Sequence, residues 1–134
     1  MNQSTSIPAV IVDAAELDHL ESLAANAMQR QPAVADKLLD ELGRAEIVET
    51  DRMPRDVVTI GSRVTFRNES TRAEQTITLV YPEDADISRG CVSIVTPIGA
   101  ALLGLAEGAQ FAWDARDSTR HQLTVLKVEP PVRD

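Results

Sequence analysis

The chain has 134 residues, 43% of them hydrophobic, which supplies one modest core and excludes two large domains. Its formal charge of −8 repels phosphate backbones, and its four aromatic residues (Phe66, Tyr81, Phe111, Trp113) are too few for the stacking platforms that hold single strands, so no direct high-affinity nucleic-acid binding is expected. The single cysteine, Cys91, excludes an internal disulfide and a cysteine-based zinc cage, and it reads as a buried strand residue in a reducing compartment.

No apolar run approaches the roughly 20 residues of a membrane span. The opening MNQSTSIP also lacks the basic start and apolar middle of a secretory signal. A cytoplasmic protein with no membrane partner is the expectation. The charge is uneven: residues 1–50 carry nine acidic and three basic side chains, whereas residues 51–134 carry twelve and ten. The first segment therefore suits a basic protein surface.

In chain order, Pro8 to Val12 reads as a short strand, followed by Asp13 as a helix N-cap with Glu16 three residues on. Leu17, Leu20, Ala24, Ala27 and Met28 recur at helical spacing. They predict a helix of about 15 residues, roughly 22 Å long, with Ala27 and Met28 continuing its core stripe. The segment NAMQRQP, 26–32, breaks the pattern, and Pro32 suits the opening of a second helix, whose stripe is Val34, Leu38, Leu39, Leu42 and Ala45. Lys37 with Glu41 and Asp40 with Arg44 are spaced as ion pairs on its outer side. Together these segments predict a short antiparallel helical hairpin. Met53 and Pro54 mark its end, because proline disfavours helix in the residue before it; the expected units are 1–52 and 53–134.

Beyond the junction the hydrophobic period becomes two. Val64 and Phe66, then Ile77, Leu79 and Tyr81, then Val92 and Ile94 alternate with other residues as strands with one buried face. Asn68 to Ala73 and Pro82 to Gly90 are polar turns between them. Pro97 opens a short helix, Ile98 to Leu103, that ends near Gly104; Gln110 to Trp113 and Gln122 to Val128 complete five strands around a charged loop from Asp114 to Thr119. In the last strand Leu123 and Val125 share one face while Leu126 and Val128 share the other, which requires burial on both faces or a bulge. The fold class is α+β: a helical hairpin followed by an antiparallel sheet packed on one side around one short helix.

Chemistry-bearing motifs are absent. Gly99 and Gly104 have phosphate-loop spacing, but Leu105 and Ala106 stand where lysine and a hydroxyl residue are required, so the glycines read as a close helix–sheet approach and a helix stop. His19 and His121 read as surface residues. Glu83, Asp84, Asp86, Glu107 and the Asp114–Asp117 stretch read as solvated turns. No serine sits in a nucleophile elbow. No catalytic residue, metal ligand or cofactor is assigned.

Gly61, the VTF of Val64 to Phe66, Asn68, the EQTI of Glu74 to Ile77 and the TPIGAALLG from Thr96 occur in the order found in the C-terminal FKBP-like domain of the Gre transcript-cleavage factors. With DVVTIGSRVTFRN from Asp56 and LVYP from Leu79, the chain most closely resembles the Rnk family, the regulators of nucleoside diphosphate kinase. This resemblance spans nearly the whole chain. It implies an FKBP-like sheet unit carrying a short coiled coil, and a monomer that binds RNA polymerase near its secondary channel in competition with Gre-type and DksA-type factors. It also implies that Thr96, Pro97 and Ile98 lie in the docking surface, although Val95 stands where a polar residue commonly precedes them. At the hairpin apex the candidate partner-binding residues are Gln29, Arg30 and Asp36.

In Gre factors, by the same resemblance, the longer hairpin ends in an acidic pair that helps hold a catalytic Mg²⁺. Here the stretch from Ala25 to Ala35 contains no Asp or Glu, and Arg30 adds positive charge. Metal-assisted cleavage needs carboxylate oxygens, so a non-catalytic regulator is expected, with an indirect effect on nucleoside diphosphate kinase levels. The alternative, a peptidyl-prolyl isomerase, rests on fold alone and lacks the aromatic residues of such a pocket.

Overall fold

The structure, a computed structural model, describes residues 9–114 and 120–131. Strand β1, Ile11–Asp13, runs directly into helix α1, Ala14–Ala27, whose start is fixed when Asp13 Oδ1 accepts a hydrogen bond from the Ala15 N–H at 2.9 Å. Leu20 and Ala24 are its buried face. Helix α2, Pro32–Arg44, opens on proline and buries Val34, Ala35, Leu38 and Leu42, and the two helices pack on each other. Two expectations for the hairpin need correction. Glu41 is not on the outer face: it is only 5% exposed and pairs with Arg44 three residues on, Nη2 to Oε1 at 2.8 Å. Met28 is not core; it is exposed, because the helix ends at Ala27 and the turn carries the next side chain outward.

A second strand that periodicity does not announce, β2 at Glu46–Val48, pairs in parallel with β1. Three residues give too short an alternation to read. The pair returns the chain beside its own start, and the Ile11 N–H donates to the Gly104 carbonyl at 3.0 Å, which ties this small sheet to the second half of the molecule.

The main sheet comprises β3 (Arg63–Asn68), β4 (Glu74–Val80), β5 (Cys91–Ser93), β6 (Gln110–Asp114) and β7 (Arg120–Glu129), in the spatial order β5-β4-β3-β7-β6. It is antiparallel except for β4 and β5, which are parallel. This corrects the all-antiparallel expectation: the segment from Tyr81 to Gly90 runs back through two short 3-10 turns, so β5 enters from the same end as β4. The two-faced pattern of β7 is a bulge. Thr65 faces Lys127 while Phe66 faces Val125, so Leu126 is the extra residue and Val128 returns to the buried side. Cys91, expected to be buried, is half-buried on the edge strand β5. Glu107 is more than a solvated turn residue, because its Oε2 accepts the Val128 N–H at 2.8 Å. Of the expected charged loop, residues 115–119 lie outside the described residues.

Helix α3, Pro97–Leu102, lies against the sheet because Gly99 permits it: a Cβ there would sit 2.3 Å from the Ser93 carbonyl oxygen. One hydrophobic core joins Leu20 and Leu38 of the hairpin to Leu79, Ile94, Leu102 and Val125 of the sheet and α3. Among the described residues no helix is long and apolar enough to cross a membrane.

Candidate partner-docking surface

The hairpin apex is a tight turn in which the Gln31 N–H donates to the Ala27 carbonyl at 2.7 Å and the Arg30 N–H to the same oxygen at 3.2 Å. Closing the turn on backbone bonds leaves the side chains of Met28, Gln29, Arg30, Gln31 and Pro32 exposed. Asp36 is exposed on α2 beyond it. Asp18 and Glu21 of α1 and Asp36 and Asp40 of α2 are also exposed, so acidic flanks rise to a neutral-to-basic tip. The 14 residues of α1 span roughly 21 Å at 1.5 Å per residue.

The second set sits where β5 turns into α3. Thr96 is the N-cap: its Oγ1 donates to the Ser93 carbonyl at 2.7 Å and accepts the Gly99 N–H at 3.1 Å, while Ser93 Oγ accepts the Val95 N–H at 3.1 Å. This short network links Ser93, Val95, Thr96 and Gly99 at the start of α3. Pro97 is exposed, and Ile98 is half-buried against the core. The sequence-derived residues thus fall into two groups, Gln29 and Arg30 on the α1–α2 turn with Asp36 beyond it on α2, and Thr96, Pro97 and Ile98 at the start of α3.

At the root of the hairpin lie contacts that periodicity does not reveal. Thr50 Oγ1 donates to Asp13 Oδ1 at 2.6 Å, so the α1 cap also binds the segment leaving the hairpin. Asp13 is legible as a cap; its partner 37 residues away is not. The rings of His19 and Tyr81 meet edge to face, 4.4 Å between centroids at 86°, across the seam between α1 and the sheet. Tyr81, expected on the core face, is half-buried and packs against the core at this seam. Burial, and then the carboxylates of Glu16, Asp13 and Glu83, push its phenol up to about 12.

At the opposite end of β3, Glu69 accepts hydrogen bonds from Thr124 Oγ1 and Arg67 and pairs with Arg72. The Thr124 and Arg67 bonds hold its carboxyl below the usual carboxylate value. Asn68 Nδ2 lies 3.0 Å from His121 Nδ1, and His121 is half-buried rather than a free surface residue. Among the described residues no cluster of three or more His, Cys, Asp or Glu side chains is placed to hold a metal.

Two family models match in series: the Rnk N-terminus over residues 8–48, and the C-terminal part of the transcription elongation factors GreA/GreB over residues 53–130. The regulator of nucleoside diphosphate kinase from Escherichia coli (strain K12) is 36% identical over 124 residues, covering 92% of this chain and 91% of that protein. Transcription elongation factor GreA from Brucella canis is 32% identical over 92 residues, which are 68% of this chain and 59% of GreA. The solved structure of a prokaryotic transcription elongation factor GreA/GreB from Nitrosomonas europaea superposes with a TM-score of 0.74 at 36% identity, over 92% of this chain and 99% of that one. The chain therefore belongs to the Rnk family, the regulators of nucleoside diphosphate kinase, which is related to the Gre factors.

Proposed function

We propose that this protein is a cytoplasmic, non-catalytic transcription regulator that binds RNA polymerase near the mouth of its secondary channel and competes there with Gre-type and DksA-type factors. On this reading the FKBP-like part, 53–134, docks outside through Thr96, Pro97 and Ile98. The short coiled coil, 1–52, occupies the entrance with Gln29, Arg30 and Asp36 near its contact surface. Kinship with regulators and elongation factors supports the role. The observation that carries the non-catalytic part is the apex, where exposed Gln29, Arg30 and Gln31 stand on a roughly 21 Å helix with no carboxylate between Ala25 and Ala35. Such a tip obstructs a channel but offers no carboxylate pair to a metal beyond it. Any effect on nucleoside diphosphate kinase levels then runs through transcription.

The isomerase alternative gains no support. Phe66 is consumed by the core and Tyr81 by its contact with His19, and none of the relatives above carries an isomerase name.

A fluorescence titration of labelled protein with core polymerase tests the reading. Saturable binding that an unlabelled Gre factor displaces, without stimulated cleavage of a backtracked transcript, is the expected result. Absence of saturable binding overturns it; cleavage as strong as a Gre factor's overturns the argument from the apex.

A further inference from the structure

Below the hairpin, Asp13, Thr50, Met53, Pro54, Arg55 and the Pro130–Pro131 pair are among the residues that line a cleft of about 170 Å³, apart from the candidate docking residues. Its chemistry is asymmetric. Asp13 is only 4% exposed, and both hydrogen bonds that reach its carboxylate, from Ala15 N–H and Thr50 Oγ1, land on Oδ1. Among the described residues no donor reaches Oδ2, so a carboxylate oxygen is left with acceptor capacity beside a cavity.

Met53, Pro54, Pro130 and Pro131 supply an apolar wall, suited to methylene groups rather than to a hydrated ion. Two charged side chains line the cleft, the buried Asp13 and Arg55, which is exposed at the rim. A guanidinium binds a carboxylate best through both oxygens at once, and here Oδ1 is already committed. An ammonium group is a point charge that a single oxygen satisfies, and the Thr50 hydroxyl keeps a lone pair for a second of its three protons.

We propose that this cleft binds a primary ammonium group on a short aliphatic stem, with Asp13 Oδ2 as the charged acceptor and the proline-lined wall covering the methylenes. That chemistry belongs to free aliphatic diamines and to lysine side chains of a partner protein. The site is independent of polymerase binding, and it is tested without polymerase.

The experiment is an amide NMR titration of the full chain with putrescine in one arm and N-acetyl-lysine methylamide in the other. Amine is carried to about 10 mM, tenfold above the roughly millimolar Kd expected of one charge contact. Saturable shifts at the amides of Ala15, Thr50 and Val57 are expected. Putrescine as the tighter ligand assigns the site to free diamines, and the lysine amide as the tighter one assigns it to a partner's side chain. Asp13→Asn keeps a good helix cap while removing the charge, and should abolish the shifts with melting temperature retained. Should that variant unfold, Arg55→Glu is read instead: a further carboxylate at the exposed rim should tighten amine binding about threefold at low salt. No saturable shift with either amine, undiminished binding in Asp13→Asn, or Arg55→Glu binding no tighter than the parent overturns the proposal.

Discussion

At Gly99 two effects of opposite sign meet. Replacing a helical glycine by alanine normally gains about 1 kcal/mol of helix propensity, but the new Cβ would stand 2.3 Å from the Ser93 carbonyl oxygen and 3.1 Å from Ile94 Cα, both backbone atoms that move only with the strand. Overpacking of this kind costs about 1–3 kcal/mol, so with the propensity gain subtracted Gly99→Ala is expected to destabilise the protein by up to about 2 kcal/mol net, read as a lower urea midpoint. Glu69 makes a prediction in pH. Its folded value lies below the ordinary 4.5, so its bonds to Thr124 and Arg67 stabilise the fold above that pH and are lost as acid protonates the folded carboxylate. Glu69→Gln should lower the melting temperature at neutral pH, and the gap from the parent should close as pH falls below 4.5. A gap that stays constant into acid would show that the carboxylate charge is not what the network uses.

Among the elements, those set by local pattern were legible in the residues. Asp13 before an apolar stripe, Pro32 and Pro97 as helix openers, the alternation through Val64 and Phe66, and the face switch at Leu126 each carry their own signal. What escaped depends on contacts distant in sequence. Strand β2 is strand only because β1 lies beside it, β5 is parallel only because of how the preceding turns run, and Glu41 is buried by tertiary packing that a helical wheel does not contain. The apex at Gln29 and Arg30 was legible as a break between two helical stripes, whereas the cleft was not, since its lining comes from three separate stretches of chain. The seam between α1 and the sheet carries a direct test, because Tyr81 is the sole tyrosine. The folded protein keeps the phenol proton that an unfolded chain releases near 10, so this stabilisation is complete below pH 10 and is lost as pH climbs towards 12. Phenolate absorbance should titrate near 12 in the native protein and near 10 in urea, and Tyr81→Phe should flatten the alkaline fall in melting temperature. A native midpoint at 10 would mean the ring is not held at this seam.

For the whole molecule, the charge layout sets what a polymerase encounter would feel. Acidic flanks at Asp18, Glu21, Asp36 and Asp40 below a neutral-to-basic tip favour long-range attraction to a basic surface, which salt screens within about 10 Å at 0.1 M. Reversing two of these charges, Asp18→Lys with Asp40→Lys, should weaken binding about tenfold at low salt and little at high salt. Unchanged affinity at low salt would exclude the flanks from the contact. The continuous core reaches further than docking. Residue Val10 sits so close to Gly104 that a Cβ at that glycine would lie 2.3 Å from Val10 Cγ1, and α2 leans on α3. The arm is therefore also a roof: cut the chain at Met53, and the outer side of α3 is stripped bare, leaving a sticky remnant where a tidy module was wanted.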